Sequence, residues 1–296
     1  MMNHRERINA ILKGEIPDII PSFGECPMDV TCIKGILPEP TGDIIIDGIK
    51  DAEFYDNSCI CVNVGPNVET ISRSENHHTY RYETGAVWHE SYNPTFCREP
   101  VKFPINDVED IDGFVMPCAE SNVDFEEMKR TVAAWKQAGY FVQGNTWGAW
   151  QGIYYLLTKF ENILMWMAIE TEAAHKLFKI MGDYSIDAAK IMLEAGVDAV
   201  FVPSDFGSGH RLLFSPEMFY QYVFPWLKEL ADLCHSYGAI LHLHSHGHIQ
   251  DLMDMIIESG VDMINPVGPS DHNDLAMYKS RWGHRITIMG GISTRI

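Results

Sequence analysis

The stretch Gly238-Ala239-Ile240-Leu241-His242-Leu243-His244-Ser245-His246-Gly247-His248 decides how the chain reads. It has the pattern of a buried β-strand that ends in histidines, with a His at every second position from 242 to 248. Residues two apart on a strand share a face, so His242 and His244 point the same way. His246 and His248 fall past the expected strand end, on the turn and the start of the next helix. A His-x-His pair on one face offers two imidazole nitrogens to a single metal ion. The same rings can also simply hydrogen-bond at a polar rim without metal.

Outward from this strand the pattern repeats. Residues 140–145, 198–203, 263–266 and 286–291 read as short apolar strands. Between them lie helical stretches: 151–160, 171–195, a helix from Ser215-Pro216-Glu217 to His235, 247–259, and 274–281. Upstream, residues 3–13 and 124–139 read as helices, and 19–23 and 57–64 as strands. Residues 25–51 read mostly as loop, with room for a short helix. Residues 66–100 alternate weakly, as a hairpin or meander turning at Glu83-Thr84-Gly85. Strand–helix alternation implies a parallel sheet.

Polar residues follow the strands at Asn145, Asp205, His244, Asn265 and Gly290. In a TIM-like (β/α)8 barrel those positions form the C-terminal rim, where active sites are built. The expected fold is therefore α/β, one such barrel domain over residues 1–296 with residues 66–100 as an excursion. A doubly wound sheet is the runner-up, though no Gly-x-Gly-x-x-Gly follows any strand. About seven strands are counted, and the chain stops just after the seventh. This leads to the expectation of a C-terminal truncation that removes the last strand and helix, about 40–60 residues.

With 22 Lys and Arg against 41 Asp and Glu, the 296-residue chain carries a formal charge of −19. That argues against nucleic acid or an anionic membrane as partner, since both demand basic patches. Seven scattered Cys (26, 32, 59, 61, 97, 118, 234) form no Cys-x-x-Cys pair. Together with a polar N-terminus and no run of 18 apolar residues, they fit reduced thiols in a cytoplasmic protein.

Among candidate site residues, Asp205 at a strand end can orient a His or act as a general base; it can equally cap its own loop. Asn145 and Asn265 end strands and suit substrate contacts. Trp147 and Trp150 suit a flat aromatic surface, or ordinary packing under a loop. His210 and Arg211 come after the Asp205 loop and can meet an anion or a partner. His248 can cap a helix start. His242 and Glu217 are further candidate metal ligands beside His244 and His246. His77-His78 reads as an exposed turn, and Cys59 and Cys61 as one buried strand face.

Several of these stretches together resemble a known family. Arg5-Glu6-Arg7-Ile8-Asn9-Ala10-Ile11-Leu12-Lys13-Gly14-Glu15-Ile16-Pro17-Asp18 is similar to the opening of uroporphyrinogen decarboxylase-like proteins. Val200-Phe201-Val202-Pro203-Ser204-Asp205-Phe206-Gly207-Ser208 and Leu213-Phe214-Ser215-Pro216-Glu217-Met218-Phe219 resemble the middle motif of that family. Leu243-His244-Ser245-His246-Gly247-His248-Ile249 resembles its His-x-Cys-Gly-Asn stretch. Gly260-Val261-Asp262-Met263-Ile264-Asn265-Pro266 and Met289-Gly290-Gly291-Ile292 resemble its two later motifs. The resemblance spans essentially the whole chain, in order, and implies a TIM-like barrel.

The family has two main branches. The tetrapyrrole decarboxylases carry an Arg-rich segment after the first strand that grips substrate carboxylates. Pro21-Ser22-Phe23-Gly24-Glu25-Cys26-Pro27-Met28-Asp29 stands there in this chain, and no Arg occurs between Arg7 and Arg73. The other branch moves a methyl group between a small molecule and a cobalamin on a partner corrinoid protein. Its thiol-methylating members hold Zn2+ through the His and Cys of His-x-Cys and a late Cys. The resemblance thus places His244 in the His position and His246 where the Cys stands, with the late Cys expected beyond Ile296. His for Cys makes a harder site, better suited to oxygen-bound methyl donors. The expectation is a metal-assisted, corrinoid-linked methyltransferase. The resemblance also implies a homodimer, since family members often dimerise. A tetrapyrrole decarboxylase, a metal-dependent hydrolase and a non-catalytic scaffold are the alternatives.

Overall fold

A computed structural model of the protein describes residues 1–22, 39–93, 95–169 and 172–291. In chain order, β1 (Cys59–Asn63) is followed by β2 (Val68–Arg73), β3 (His77–Tyr82), β4 (Val87–Ser91) and β5 (Cys97–Lys102). Then come β6 (Phe141–Asn145), β7 (Ala199–Pro203), β8 (Ile240–His244), β9 (Met263–Asn265) and β10 (Thr287–Ile288). Six of them form a parallel sheet in the order β1-β6-β7-β8-β9-β10, and β2-β3-β4-β5 form an antiparallel meander. The excursion expected from 66–100 is that meander.

Pairing registers give the parallel sheet two unlike faces. One carries Ile60, Val62, Val142, Val200, Val202, Leu241, Leu243 and Ile264, all in the main core under the helices. The other changes along the strands. At the N-terminal ends it is apolar, with Cys59, Phe141, Ala199 and Met263 around Ile8. One pleat on it carries Cys61, Gln143 and His242, and at the C-terminal ends Asn63, Asn145, His244 and Asn265.

Ile8 belongs to α1 (His4–Leu12), whose start is fixed by a capping box between Asn3 and Glu6. Arg5 of α1 grips Asp198 bidentately, with Nη2 2.7 Å and Nε 3.0 Å from its two oxygens, and Lys136 Nζ lies 2.9 Å from the same carboxylate. Helix α1 thereby closes the apolar end of this face.

A Gly-Val-Asp triplet occurs at 196–198 and again at 260–262. Each Asp precedes a strand and accepts the amide of the neighbouring strand: Val142 donates to Asp198 Oδ2 at 3.1 Å, and Leu241 to Asp262 Oδ2 at 2.9 Å. The repeat sets the register of two strand pairs at their N-terminal ends.

The helices obey their sequence signals. α2 (Ile44–Phe54) starts at Asp43, and α3 (Phe125–Gln137) at Asp124, whose side chain accepts the Glu127 amide. After α4 (Ala149–Gly152) and a π turn at Ile153–Leu157 come α5 (Phe160–Ala168) and α6 (Glu172–Ala195). Gly144 of β6 lets α6 approach closely, since a Cβ there would lie 2.7 Å from Met192 Sδ. Ser215 caps α7 (Pro216–Met218), which continues through a π turn into α8 (Phe224–Ser236). The π turn precedes Pro225, which has no N–H for a regular helical bond.

Two expectations are corrected. Residues 19–22 form no strand, and Phe23 lies outside the described residues. The segment runs beside β1 through one bond, Ser58 N–H to Ser22 O at 2.8 Å, and Pro21 has no amide to add. The six strands also end in two edges, β1 and β10, among the described residues. The second correction concerns residues 247–259. Helix forms there only as a 3-10 turn at Gln250–Leu252 and α9 (Met253–Glu258). Gly247 sits at φ 89°, which no helix accommodates, and His248 caps nothing. α10 (Leu275–Trp282) precedes β10. No helix among the described residues is long and apolar enough to cross a membrane. The described cysteines, at 59, 61, 97, 118 and 234, form no disulfide with one another; Cys26 and Cys32 lie outside the described residues.

Candidate functional site

The polar ends of the parallel strands converge on three side chains. Asp205, just past β7, places Oδ1 2.8 Å from the His246 amide, which donates to it, and 3.6 Å from His244 Nε2. The His244 and His246 rings stand edge to face, 4.8 Å apart at 83°. His244 is buried, whereas the His246 side chain is half exposed. Phe201 of β7 packs beneath both strand histidines, 5.0 Å from His242 and 5.9 Å from His244. Sequence alternation and register together bring this about, since Pro203 pairs with His244 and the Asp205 loop leaves β7 directly beside it.

One pleat deeper, His242 Nδ1 lies 2.8 Å from Gln143 Oε1. Gln143 Nε2 donates to Asn145 Oδ1 at 3.0 Å, and Asn145 Nδ2 to Asn63 Oδ1 at 3.1 Å. With the Gln143 amide donating outward, its oxygen is the acceptor, so His242 Nδ1 donates to it. A line of amides thus runs from the sheet interior to the rim.

Residues the sequence did not single out hold His246 in place. Asp271 Oδ2 accepts the Gly247 amide at 3.1 Å and lies 3.4 Å from His246 Nδ1. Asn273 Nδ2 donates to Gly247 O at 3.0 Å, and Tyr278 OH donates to Asn273 Oδ1 at 2.9 Å. Asp271 and Asn273 are both buried. The signal for them was the polar run Ser270-Asp271-His272-Asn273-Asp274 after a strand end.

The other candidates separate. Asn265 is buried beside His244 in register, and its carbonyl accepts the Ser245 amide at 2.8 Å. Trp147 is half-buried against Tyr82 and Tyr155, with ring centroids at 6.0 and 5.2 Å. Trp150 is fully buried and donates its indole N–H to Asp205 O at 2.7 Å, so it supports the loop and offers no surface. His210 is exposed and packs on His272 at 4.2 Å; Arg211 is exposed too. Glu217 lies in the first turn of α7, where the Ser215 hydroxyl and its own backbone amide hold its carboxyl below the usual range. It works as a helix-start residue there.

Among the described residues, no three His, Cys, Asp or Glu side chains form a group that could hold a metal ion. His244 and His246 are adjacent imidazoles, but neither His242, committed to Gln143, nor Glu217 completes a set. The described donors therefore do not fit a three-ligand zinc site.

Residues 94–296 match the sequence profile of the family described as Uroporphyrinogen decarboxylase (URO-D). The chain belongs to the uroporphyrinogen decarboxylase family. Among solved structures, this family member is similar to a methyltransferase from Methanosarcina mazei. The two share 16% identity and a TM-score of 0.71 over 100% of this chain and 85% of that one. At that identity the likeness is one of fold: a parallel sheet with helices, as in a TIM-barrel-like methyltransferase. A 3-keto-D-glucoside 4-epimerase from E. coli matches 64% of this chain and 75% of its own at 15% identity, with a TM-score of 0.37, which carries no argument. No curated protein matches the sequence.

Proposed function

We propose that this family member is a methyltransferase that exchanges a methyl group between a small molecule and a cobalamin carried by a partner corrinoid protein. In this reading the six parallel strands are the greater part of a (β/α)8 barrel. The observation that carries it is the charge content of the site. Two carboxylates, Asp205 and Asp271, and two imidazoles stand above a floor of amides, and no described parallel strand ends in Lys or Arg. Such a site suits activation of one attacking or departing heteroatom. Among the described residues, the strand ends supply none of the cations that a polycarboxylate tetrapyrrole demands.

The chemistry would be displacement at a methyl carbon, and the partner's cobalamin supplies the methyl carrier. His244 Nε2 faces the rim within reach of Asp205. It can take a proton from an attacking thiol or give one to a departing oxygen. Asp205, fixed by the His246 amide, places its charge beside that nitrogen and favours the protonated ring once the proton arrives. Gln143, Asn145 and Asn265 place polar groups around the reacting group. The fully buried Trp150 holds the Asp205 loop from below.

The test is anaerobic incubation of the full chain with methylcobalamin and a panel of thiol, alcohol and phenol acceptors, monitoring loss of the methyl–cobalt absorbance. Turnover that falls about 100-fold or more in His244→Ala and Asp205→Asn supports the reading. Absence of turnover together with decarboxylation of uroporphyrinogen overturns it. Zinc titration forms a second arm. Two imidazoles without a third ligand bind zinc weakly, so binding should be loose and His246→Ala should remove it. Stoichiometric zinc surviving dialysis against a chelator would mean that further ligands complete the site.

A further inference from the structure

A cavity of about 670 Å3 opens between β4–β5 of the meander and the segment 153–161. Trp88, Tyr154, Tyr155 and Phe160 line it, with Lys102 and Lys159. Its aromatic wall is rigid. Trp88 and Tyr155 stack at 4.9 Å and 24°, and the Trp88 indole N–H donates to Tyr155 O at 2.8 Å. Arg98 also lines the cavity, but its charge is committed to Glu90 at 2.7 Å. Lys102 and Lys159 are exposed and have no carboxylate within ion-pair distance among the described residues; Glu161 is the one acidic residue of the described lining.

In a chain of charge −19, two such lysines on one aromatic cavity are a local reversal of sign. The volume is that of a small-molecule site. Aromatic faces accept a planar ring, and ammonium groups at the opening accept an anion. We propose that this cavity binds a planar aromatic carboxylate, its ring against Tyr155 and Phe160 and its carboxylate at Lys102 and Lys159. The site is separate from the histidine cluster. Tyr154 lines the cavity and packs on Trp150 at 5.3 Å, and Trp150 in turn holds Asp205 O. Burial above all, with the Asp205 charge second, raises the Tyr154 hydroxyl well above the usual phenol range, so it stays a neutral wall between the two sites. Binding here is independent of methyl transfer.

The experiment is titration of the full chain with 2-naphthoate, read by calorimetry and by quenching of tryptophan fluorescence. Saturable binding of one molecule per chain is expected. It should weaken about tenfold or more in the Lys102→Glu/Lys159→Glu double variant, and 2-naphthamide should bind wild type correspondingly less well. Both lysines are exposed, so the double variant should keep the wild-type circular dichroism spectrum and melting curve. His244→Ala should bind 2-naphthoate as wild type does. Absence of saturable binding, equal affinity for the neutral amide, or an undiminished double variant overturns the proposal. So does loss of binding in His244→Ala, which would place the ligand at the strand ends.

Discussion

A Cβ built on Gly247 would overlap the carbonyl carbon of Gly207, so the loops after β7 and β8 touch backbone to backbone. Asp205 leaves one loop and His246 the other, and the Asp205–His246 bond of 2.8 Å depends on this contact. Gly247 also sits at φ 89°. Gly247→Ala is therefore expected to destabilise the protein by about 2–4 kcal/mol, from strain and overpacking together. Urea denaturation measures the first effect. Loss of activity in excess of the unfolded fraction measures the second, the parting of Asp205 from His246.

Asp198 joins Arg5 of α1, Lys136 of α3 and the Val142 amide of β6. Its carboxylate is nearly buried, at 8% side-chain exposure, while Arg5 is 38% exposed. Asp198→Asn keeps the shape but leaves two cations unpartnered, and it should cost about 2–3 kcal/mol. Arg5→Met should cost less, because the more exposed partner is the one removed. Comparing the two denaturation midpoints checks this order, and equal losses would contradict it.

Within the meander, Glu90 accepts from Tyr80 at 3.0 Å, Tyr92 at 2.7 Å and Arg98 Nε at 2.8 Å. Burial pushes its carboxyl up, but the Tyr92 bond and Arg98 charge more than offset that, and the folded value lies below the ordinary one. A depressed carboxylate stabilises above its unfolded value, and that contribution is lost as pH falls through the folded value. Wild type should thus lose stability on the acid side of about pH 4.5. Glu90→Gln should start lower at neutral pH, by about 1.5–3 kcal/mol, and show a flatter acid limb. Parallel pH–stability curves for the two proteins would refute the assignment.

Burial foremost, with the Asp262 charge adding, pushes the Cys234 thiol up to about 12. Cys97 and Cys118 are exposed. Alkylation at about pH 8 should label those two in the native protein and spare Cys234, with Cys234 reacting only after unfolding. Peptide mapping by mass spectrometry reads the outcome directly, and labelling of native Cys234 would contradict its placement on the buried face of α8.

Much of this was readable in the sequence. Period-two alternation marked β8, and Ser215-Pro216-Glu217 marked the start of α7. The placing of polar residues after apolar runs put Asp205, His244 and Asn265 at strand ends, where the structure has them, because strand ends are local features. The rest depends on contacts distant in sequence. His242 and His244 share a face, yet Gln143, 99 residues away, commits the first ring to a floor of amides. Glu217 sits in the middle motif, but its side chain serves a helix start. Trp150 looked as available as Trp147 until Asp205 O claimed its indole. Asp271 was missed because a Ser-Asp-His-Asn-Asp run reads as a solvated loop until Gly247 is seen to donate to it. Residues 19–22 failed as a strand since Pro21 has no amide to give a ladder.

The placement of α1 reaches into the history of each molecule. Arg5 and Asp198 are 193 residues apart, and Ile8 waits for Phe141, Ala199 and Met263 before its apolar face is covered. On the ribosome α1 is made well before β9 and finds its seat only after that strand has emerged. Until then α1 has an uncovered apolar face and the sheet floor stays open. Assembly of the strands and shelter of the amino-terminal segment are therefore one late event, and a nascent chain stalled before β9 would be the species most in need of a chaperone.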